Sequence, residues 1–208
     1  TVLLMQKIIA ATPARDDDDH IPLIVHQNTQ VPSRIKALID HTGPDPAPTL
    51  CAMARALHVA GAQALAMPCN TAHAYAAQIS AATPLPFLDM IASTTRTLPK
   101  GARVGMLASP ATRLAGVFDA PFAACGLTPV YLPDDAPLLL LIRRIKSGDT
   151  GPDAAACLQD LARALFNHSD HLLIACTELS LLSGSLQDLA WTDSLDCLTT
   201  AITDFALS

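Results

Sequence analysis

Short apolar runs alternate along the chain with longer helical patterns, and this alternation constrains the fold more than any other feature. The predicted strands are 21–27, 64–69, 86–90, 103–108, 128–133 and 171–176. Short apolar strands separated by helix-length segments are typical of a parallel α/β sheet. The sequence therefore predicts an α/β protein whose mostly parallel sheets are flanked by helices.

Helical periodicity fills the intervals between these runs. The predicted helices are 2–11, 48–61, 71–82, 112–125, 137–147, 153–167 and 194–206. Helix breakers stand at their ends: Pro13 stops the first, and Gly61 and Gly126 end two others. Proline and glycine at such positions are ordinary helix stop signals.

Two similar stretches indicate an internal repeat. PCNTAH (68–73) and ACTELS (175–180) each place a cysteine just after an apolar strand, and Cys69 and Cys176 are 107 residues apart. The same offset carries strand 128–133 onto 21–26. We therefore predict two halves of one α/β design, each with a cysteine at the carboxyl end of a strand, where ligands bind in open α/β sheets.

The repeat also predicts a gap. Shifted by the same 107 residues, strand 103–108 falls at −4 to 1, ahead of most of the sequence. We therefore expect the first half to lack its first strand and the loop that follows that strand.

Composition excludes several classes of protein. The net charge is −6 and Lys and Arg together number 13, without a basic stripe, which argues against nucleic-acid binding. No apolar run reaches the length of a membrane span. The six cysteines contain no CxxC pair, so a reduced, cytoplasmic protein is expected rather than a zinc module or a disulfide scaffold.

A thiol between a buried strand and a helix start is placed for proton transfer. Burial raises the pKa of such a thiol, whereas a helix N-terminus and nearby donors lower it. From an ordinary pKa of about 8.5, it can act as acid or base near neutral pH. Two such thiols on facing halves suggest removal of a proton from one side of a carbon and return of a proton from the other. Four neighbours offer donors and an acceptor for a carboxylate and an ammonium group: Asn70, Thr71, Thr177 and Glu178.

PCNTAH together with ACTELSLL resembles the aspartate/glutamate racemase superfamily, specifically its aspartate racemase branch. QKIIAATPARDDDDHIPLIVHQNTQVPSR, VGMLASPAT and the IKSG run extend the resemblance over nearly the whole chain. It implies two pseudo-symmetric α/β domains with the active site in the cleft between them, usually in a homodimer. It also implies racemisation of a small amino acid, aspartate or both aspartate and glutamate, with no pyridoxal phosphate and no metal.

The resemblance also assigns roles to particular residues. Cys69 and Cys176 are implied to be the two acid/base thiols. The implied substrate-binding residues are Asn70, Thr71, Thr177 and Glu178 at the amino-acid head group, Asn28 and Thr29 in the first-domain loop, and Arg34 and Lys146 at the distal carboxylate. The implied domains are 1–96 with 190–208, and 97–189.

The chain departs from the branch at its opening and in one motif. The branch opens with a strand and a GGMGP-like loop that helps to form the substrate pocket, and this sequence has neither. Thr29 stands where the branch usually has Pro, and Ser33 where it usually has Asp.

Plainer explanations stay open for several residues. Lys146 lies in a last helical turn, where a cation suits the helix dipole, and Arg34 fits an ordinary surface arginine. His73 is expected to brace the cysteine motif rather than to act in catalysis. The acidic run DDDDH (16–20) is expected to be a solvated loop rather than a metal site.

Alternative functions also stay open. A hydantoin racemase, a maleate isomerase and an arylmalonate decarboxylase use the same strand-end cysteine. A non-catalytic amino-acid-binding protein is a different class and predicts binding without α-proton exchange. A thiol hydrolase needs a histidine base beside one cysteine, and only His73 is close in sequence.

Overall fold

The computed structural model describes residues 1–38 and 40–208. Its α-helices in this part of the chain are α1 (Val2–Ala11), α2 (Arg34–Leu38), α3 (Ala47–Val59), α4 (Ala76–Ala81), α5 (Met90–Thr97), α6 (Pro110–Leu114), α7 (Asp119–Cys125), α8 (Ala136–Lys146), α9 (Pro152–Phe166) and α10 (Ser194–Leu207). Its 3₁₀ helices are Asp17–Asp19, Thr71–Tyr75 and Leu179–Leu186. Its strands are β1 (Leu65–Ala66), β2 (Phe87–Leu88), β3 (Arg103–Ala108), β4 (Thr128–Val130), β5 (His171–Ala175) and β6 (Trp191–Asp193).

The strands form two parallel sheets. The larger has the order β4-β3-β5-β6, and β1 pairs with β2 in the smaller. In the larger sheet Ala108 lies opposite Ala175, so β3 and β5 end level with each other. The residues that follow, Ser109 and Cys176, therefore leave the sheet at the same edge.

Apolar side chains cover both faces of the larger sheet. On one face Leu107 and Ile174 pack with α8 and α9. On the other face Met106 and Leu173 pack with Phe122 of α7. Burial on both faces explains why β3 and β5 are continuous apolar runs, which is typical of central parallel strands.

Gly105 in β3 allows the close approach of α9 to this sheet. A Cβ atom built there would lie 2.8 Å from Cγ of Leu165 and 2.7 Å from Cδ2 of Leu172. Any side chain at this position would displace the helix or a core leucine.

The first part of the chain packs around the smaller sheet and the last helix. Leu65 of β1 contacts a buried cluster that includes Tyr75 and Ile79. Helix α1 packs against α10 through a second cluster that includes Ile8 and Leu198. Because α10 begins directly after β6 and ends against α1, it joins the larger sheet to the beginning of the chain.

The predicted fold class is confirmed, since parallel sheets are flanked by helices throughout the described chain. The repeat also appears in the strands, because the parallel pair β1–β2 corresponds in order to β5–β6. The domain boundaries stay a prediction. β6 lies in the larger sheet, whereas α10, from the same predicted domain, packs on α1 and α5.

One predicted strand is wrong. Residues 21–27 form no strand in the described chain, and their backbone makes no hydrogen bond to another described residue. The counterpart of residues 21–27 in the repeat is β4, which pairs with β3. In the first half of the chain, β1 pairs with β2 alone among the described strands, so it does not pair with residues 21–27. A strand requires a partner for its backbone groups, so the apolar pattern at 21–27 is not sufficient.

Two helical predictions also require correction, and two helices, α2 and α5, were not predicted. The segment 71–82 begins as a 3₁₀ helix and becomes α-helical only at Ala76. The segment 112–125 is two helices, α6 and α7, separated by residues 115–118. Helix α5 was not predicted, because its Ser and Thr residues hide its apolar face; Asp89 caps it by accepting from the Ala92 amide at 3.0 Å.

Candidate active site

The first cysteine motif begins where β1 ends, and its main chain is braced by a buried histidine. Nε2 of His73 accepts from the Met90 amide at 3.2 Å, so the ring proton resides on Nδ1. Nδ1 then donates to the carbonyl oxygen of Cys69 at 2.9 Å. Burial lowers the pKa of His73, although the bond to Cys69 and the charge of Asp89 oppose that effect. His73 is therefore a neutral brace, and neither of its nitrogens is directed at a thiol.

The second cysteine motif brings three of the predicted residues together. The Cys176 thiol donates to Oε2 of Glu178 at 3.1 Å. The other carboxylate oxygen of Glu178, Oε1, lies 3.4 Å from the Lys146 ammonium group. Thiol, carboxylate and ammonium therefore form one chain of contacts at the carboxyl end of β5.

This chain of contacts sets the protonation states of the motif. Burial raises the pKa of Cys176 well above its ordinary value, and the charge and hydrogen bond of Glu178 raise it further. Burial also raises the pKa of Glu178, but the bond from Cys176 and the charge of Lys146 outweigh that effect and lower it overall. Near neutral pH, Cys176 is a neutral thiol and Glu178 is a carboxylate.

Polar side chains connect the first cysteine motif to the helices that follow β3 and β6. Oγ1 of Thr71 lies 2.9 Å from Oγ1 of Thr112, which lies 3.0 Å from Oγ of Ser109. Nδ2 of Asn70 donates to Oγ of Ser194 at 3.1 Å. The residues after Cys69 are therefore bonded to helix α6, which follows β3, and to the start of α10.

A cavity of about 790 Å³ borders the first motif. Its mostly apolar lining includes Cys69, and Asn28 and Arg34 line it as well. Thr29 is exposed and lies outside this lining, as does Cys176. The cavity therefore groups Cys69 with two other predicted substrate-binding residues, Asn28 and Arg34, but does not reach the second thiol.

The remaining predicted residues have local contacts or none. Nη1 of Arg34 donates to the carbonyl oxygen of Pro32 at 3.3 Å, and Oδ1 of Asn28 accepts from the Gln30 amide at 2.8 Å. Thr177 is half-buried next to Cys176. Its hydroxyl bonds to no other group in the described part of the chain.

Sequence reasoning missed four polar residues around the motifs. They are Ser109, Thr112, Asp193 and Ser194. Ser109 and Asp193 carry a recognisable signal, because each caps the helix that follows it. Thr112 and Ser194 carry none, since their bonds to Thr71 and Asn70 join residues that are distant in sequence.

None of the four other cysteines donates to a carboxylate among the described residues. Cys197 is buried, and its sulfur lies 3.4 Å from Oγ1 of Thr97. Cys125 is exposed, and Cys51 and Cys157 are half-buried. All six cysteines are unpaired.

Two further features of the described residues bear on function. No group of three His, Cys, Asp or Glu side chains within 1–38 and 40–208 is arranged to hold a metal ion. No helix in the same ranges combines the length and apolar character that crossing a membrane requires.

The fold is shared with solved racemases. An aspartate racemase from Picrophilus torridus superposes with a TM-score of 0.88 at 26% identity, over 99% of this chain and 88% of that chain. A glutamate racemase from Francisella tularensis, solved with D-glutamate, gives a TM-score of 0.62 at 17% identity, over 98% of this chain and 75% of that chain. The second likeness shows the fold alone.

The sequence relationship defines the family. The model of the Asp/Glu/Hydantoin racemase family matches residues 1–203. The chain therefore belongs to the Asp/Glu/Hydantoin racemase family, and the resemblance stated from the sequence is confirmed at that level. A curated relative, the broad specificity amino-acid racemase RacX of Bacillus subtilis (strain 168), is 26% identical over 145 residues. That match covers 68% of this chain and 64% of RacX, which is less than two thirds of its length.

Proposed function

We propose that the protein is an amino-acid racemase that acts first of all on aspartate, without pyridoxal phosphate, using Cys69 and Cys176 as acid and base. One observation carries the proposal: the repeated strand-end cysteine is accompanied in the second motif by a carboxylate that keeps Cys176 protonated. Family membership and the likeness to an aspartate racemase support it.

The proposed reaction inverts the α-carbon by two proton transfers. A thiolate at Cys69 takes the α-proton, forming an S–H bond, while the C–H electron pair remains on the substrate as a carbanion. Cys176 then gives its proton to the opposite face of that carbon, and the S–H electron pair remains on its sulfur. The reverse direction starts from the state that the forward one leaves, with the Cys176 thiolate as the base and the Cys69 thiol as the acid.

Asn70 offers a specific contact to the substrate head group. Its Oδ1 atom is buried and has no hydrogen-bond partner among the described residues. An unpartnered buried acceptor is unfavourable by about 1–3 kcal/mol, so a donor at this position stabilises the site. The α-ammonium group of an amino acid is such a donor, and Thr71 and Thr177 have hydroxyls for the α-carboxylate. Hydrogen bonds to that carboxylate stabilise the carbanion.

The distal carboxylate of aspartate is assigned to Arg34 rather than to Lys146. Arg34 lines the cavity that contains Cys69. The Lys146 ammonium group is already paired with Glu178 at 3.4 Å. We therefore propose that Lys146 supports the Cys176 motif and that Arg34 contributes more to substrate selection.

A hydantoin racemase is the second candidate, and the pairing of Lys146 with Glu178 favours it. This pairing leaves fewer cations for a second substrate carboxylate, and the matched family includes hydantoin racemases. A substrate panel of aspartate, glutamate and hydantoins separates the two candidates. Inversion of a hydantoin alone would favour the second.

The first experiment is deuterium incorporation at the α-carbon. L- and D-aspartate, then L- and D-glutamate, are incubated with the protein in D₂O and followed by NMR and chiral chromatography. Exchange accompanied by inversion from either enantiomer supports the racemase. If the protein binds these amino acids but exchanges the α-proton of none of the four, a non-catalytic amino-acid-binding protein would be favoured.

Substitution of each thiol tests the two-base mechanism. Cys69→Ala and Cys176→Ala are each expected to reduce racemisation by roughly 10²–10⁴-fold, the usual contribution of a positioned acid or base. Cys125→Ala is the matched control, because that cysteine is exposed and should leave the rate unchanged. Full activity in either test variant would exclude the mechanism.

The cellular setting and assembly belong to the same proposal. Six unpaired cysteines support a reducing compartment, and we propose the cytoplasm. A homodimer is proposed from the resemblance, and light scattering measures it.

A further inference from the structure

Ser194 is the first residue of α10 and is completely buried. Its hydroxyl donates to the carbonyl oxygen of Ile174 at 2.9 Å. It also accepts from Nδ2 of Asn70 at 3.1 Å. Ile174 is two residues before Cys176 and Asn70 directly follows Cys69, so one hydroxyl joins the two cysteine-bearing segments.

The direction of the two bonds is determined by chemistry. A carbonyl oxygen can only accept, so the single hydroxyl proton of Ser194 goes to Ile174. The oxygen of Ser194 therefore faces Asn70 as an acceptor, and the amide nitrogen of Asn70 must face Ser194. This arrangement leaves Oδ1 of Asn70 as the atom that has no partner among the described residues.

The two segments that Ser194 joins differ in the strand pairing that supports them. Ile174 lies in β5, whose backbone is paired on both sides by β3 and β6. Cys69 follows the two-residue strand β1, which pairs with β2 only among the described strands. The bond to Ser194 therefore ties the less supported motif to the better supported one.

The residue before Ser194 reinforces the same junction. Oδ1 of Asp193 accepts from Oγ of Ser180 at 2.9 Å and from the Leu195 amide at 2.8 Å. Ser180 belongs to the 3₁₀ helix that follows Cys176. The start of α10 therefore holds the Cys176 loop through Asp193 and the Cys69 loop through Ser194.

We propose that Ser194 is a positioning residue that sets where the Cys69 thiol lies relative to the Cys176 thiol. The inference rests on the two-thiol function proposed above. Inversion requires the two sulfur atoms on opposite faces of one carbon, whereas exchange of the α-proton requires only one of them. Loss of the Ser194 hydroxyl should therefore impair inversion more than exchange.

The test on activity compares Ser194→Ala with Ser194→Thr, which retains the hydroxyl. In D₂O, Ser194→Ala is expected to lower the rate of inversion by roughly 10–100-fold, the size of effect that a misplaced catalytic group produces. Exchange should fall less, so the ratio of exchange to inversion rises, and Ser194→Thr should restore the ratio. Ser183→Ala is the matched control, because it also removes a serine-to-carbonyl bond, of 3.0 Å, but has no link to Cys69. An equal fall of exchange and inversion, or no rescue by folded Ser194→Thr, would overturn the proposal.

A second readout does not depend on activity. Alkylation of Cys69 by iodoacetamide is followed by mass spectrometry, with the exposed Cys125 as internal standard. Ser194→Ala and Asn70→Ala should each accelerate alkylation of Cys69 several-fold, and the double variant should show no further increase, because both remove the same bond. If Ser194→Ala does not fold, Asn70→Ala alone carries this test. An unchanged Cys69 rate, or independent effects in the double variant, would contradict the tether.

The two readouts separate the inference from the proposed function. Absence of exchange in the unsubstituted protein would reject the racemase, while the alkylation rates would still decide whether Ser194 positions Cys69. Conversely, an active racemase whose inversion is insensitive to Ser194→Ala would retain the function and reject the inference.

Discussion

At the scale of single residues, Cys69 and Cys176 have different surroundings, although their sequence motifs are similar. Cys176 is buried and bonded to Glu178, and burial together with that carboxylate raises its pKa. Cys69 is half-buried, its own main chain is held by His73, and it borders a large cavity. The repeat motif identified both thiols, but only the contacts show that Cys176 is bonded to a carboxylate.

Glu178→Gln tests the control of the Cys176 thiol. The substitution removes the negative charge and weakens the hydrogen bond that favours the neutral thiol, so the pKa of Cys176 should fall, although burial still raises it. The pH dependence of Cys176 alkylation, measured by peptide mass spectrometry, should move to lower pH. An unchanged or higher midpoint would show that Glu178 does not govern this thiol.

At the scale of elements, predictions succeeded where the local pattern and the packing agree. β3 was predicted at its exact limits because its apolar run is buried on both faces. Residues 21–27 have a similar run, but no strand in the described ranges pairs with them, so the pattern alone was not sufficient. The end of α7 was predictable because Gly126 adopts a left-handed conformation, φ 67°, that a glycine accepts readily.

Gly126→Ala tests this helix end. A Cβ atom at Gly126 meets nothing within 4 Å, so only the positive φ opposes it. The expected loss in the free energy of unfolding is about 1–2 kcal/mol by denaturant titration. Gly184→Ala is the matched control, because its Cβ also meets nothing within 4 Å but its φ is not positive; it should be neutral or slightly stabilising. Equal losses of unfolding free energy in both variants would show that the positive φ of Gly126 is not the cause.

At the scale of the whole molecule, the start of α10 concentrates buried polar groups at the junction of the larger sheet and the rest of the chain. Asp193 is almost completely buried, and its Oδ2 atom has no partner in the described part of the chain. Burial raises the pKa of Asp193 to about 6, opposed by its bonds from Leu195 and Ser180. Asp196 adds to the increase, and Lys7 opposes it.

The stability of the protein should therefore depend on pH through Asp193. The folded pKa of about 6 exceeds the ordinary 3.8, so the folded state binds this proton more tightly. The unfavourable burial of the charge is complete only well above pH 6 and is relieved as pH falls through 6 toward 4. Relative to Asp193→Asn, the wild-type protein should lose roughly 2 kcal/mol of unfolding free energy between pH 4 and pH 7.5. One pKa unit is about 1.4 kcal/mol, and the unfolded carboxyl already binds part of a proton at pH 4.

Denaturant titration at both pH values measures this difference. Asp188→Asn is the control, because Asp188 is exposed and a substitution there should change stability by less than about 0.5 kcal/mol at either pH. If the difference in unfolding free energy between wild type and Asp193→Asn is the same at both pH values, the titration of a buried Asp193 would be contradicted.

The sequence by itself determined the α/β class, the central strands β3 and β5, most helix positions and both cysteine motifs. These follow from local patterns: apolar runs, helical periodicity, helix breakers and a repeat offset of 107 residues. Only the tertiary structure decided that residues 21–27 form no strand, that Lys146 pairs with Glu178, and that Ser194 bonds to both Asn70 and Ile174. The physical reason is that a strand, an ion pair and a buried hydroxyl bond each require a partner, and here the partners lie far away in the chain.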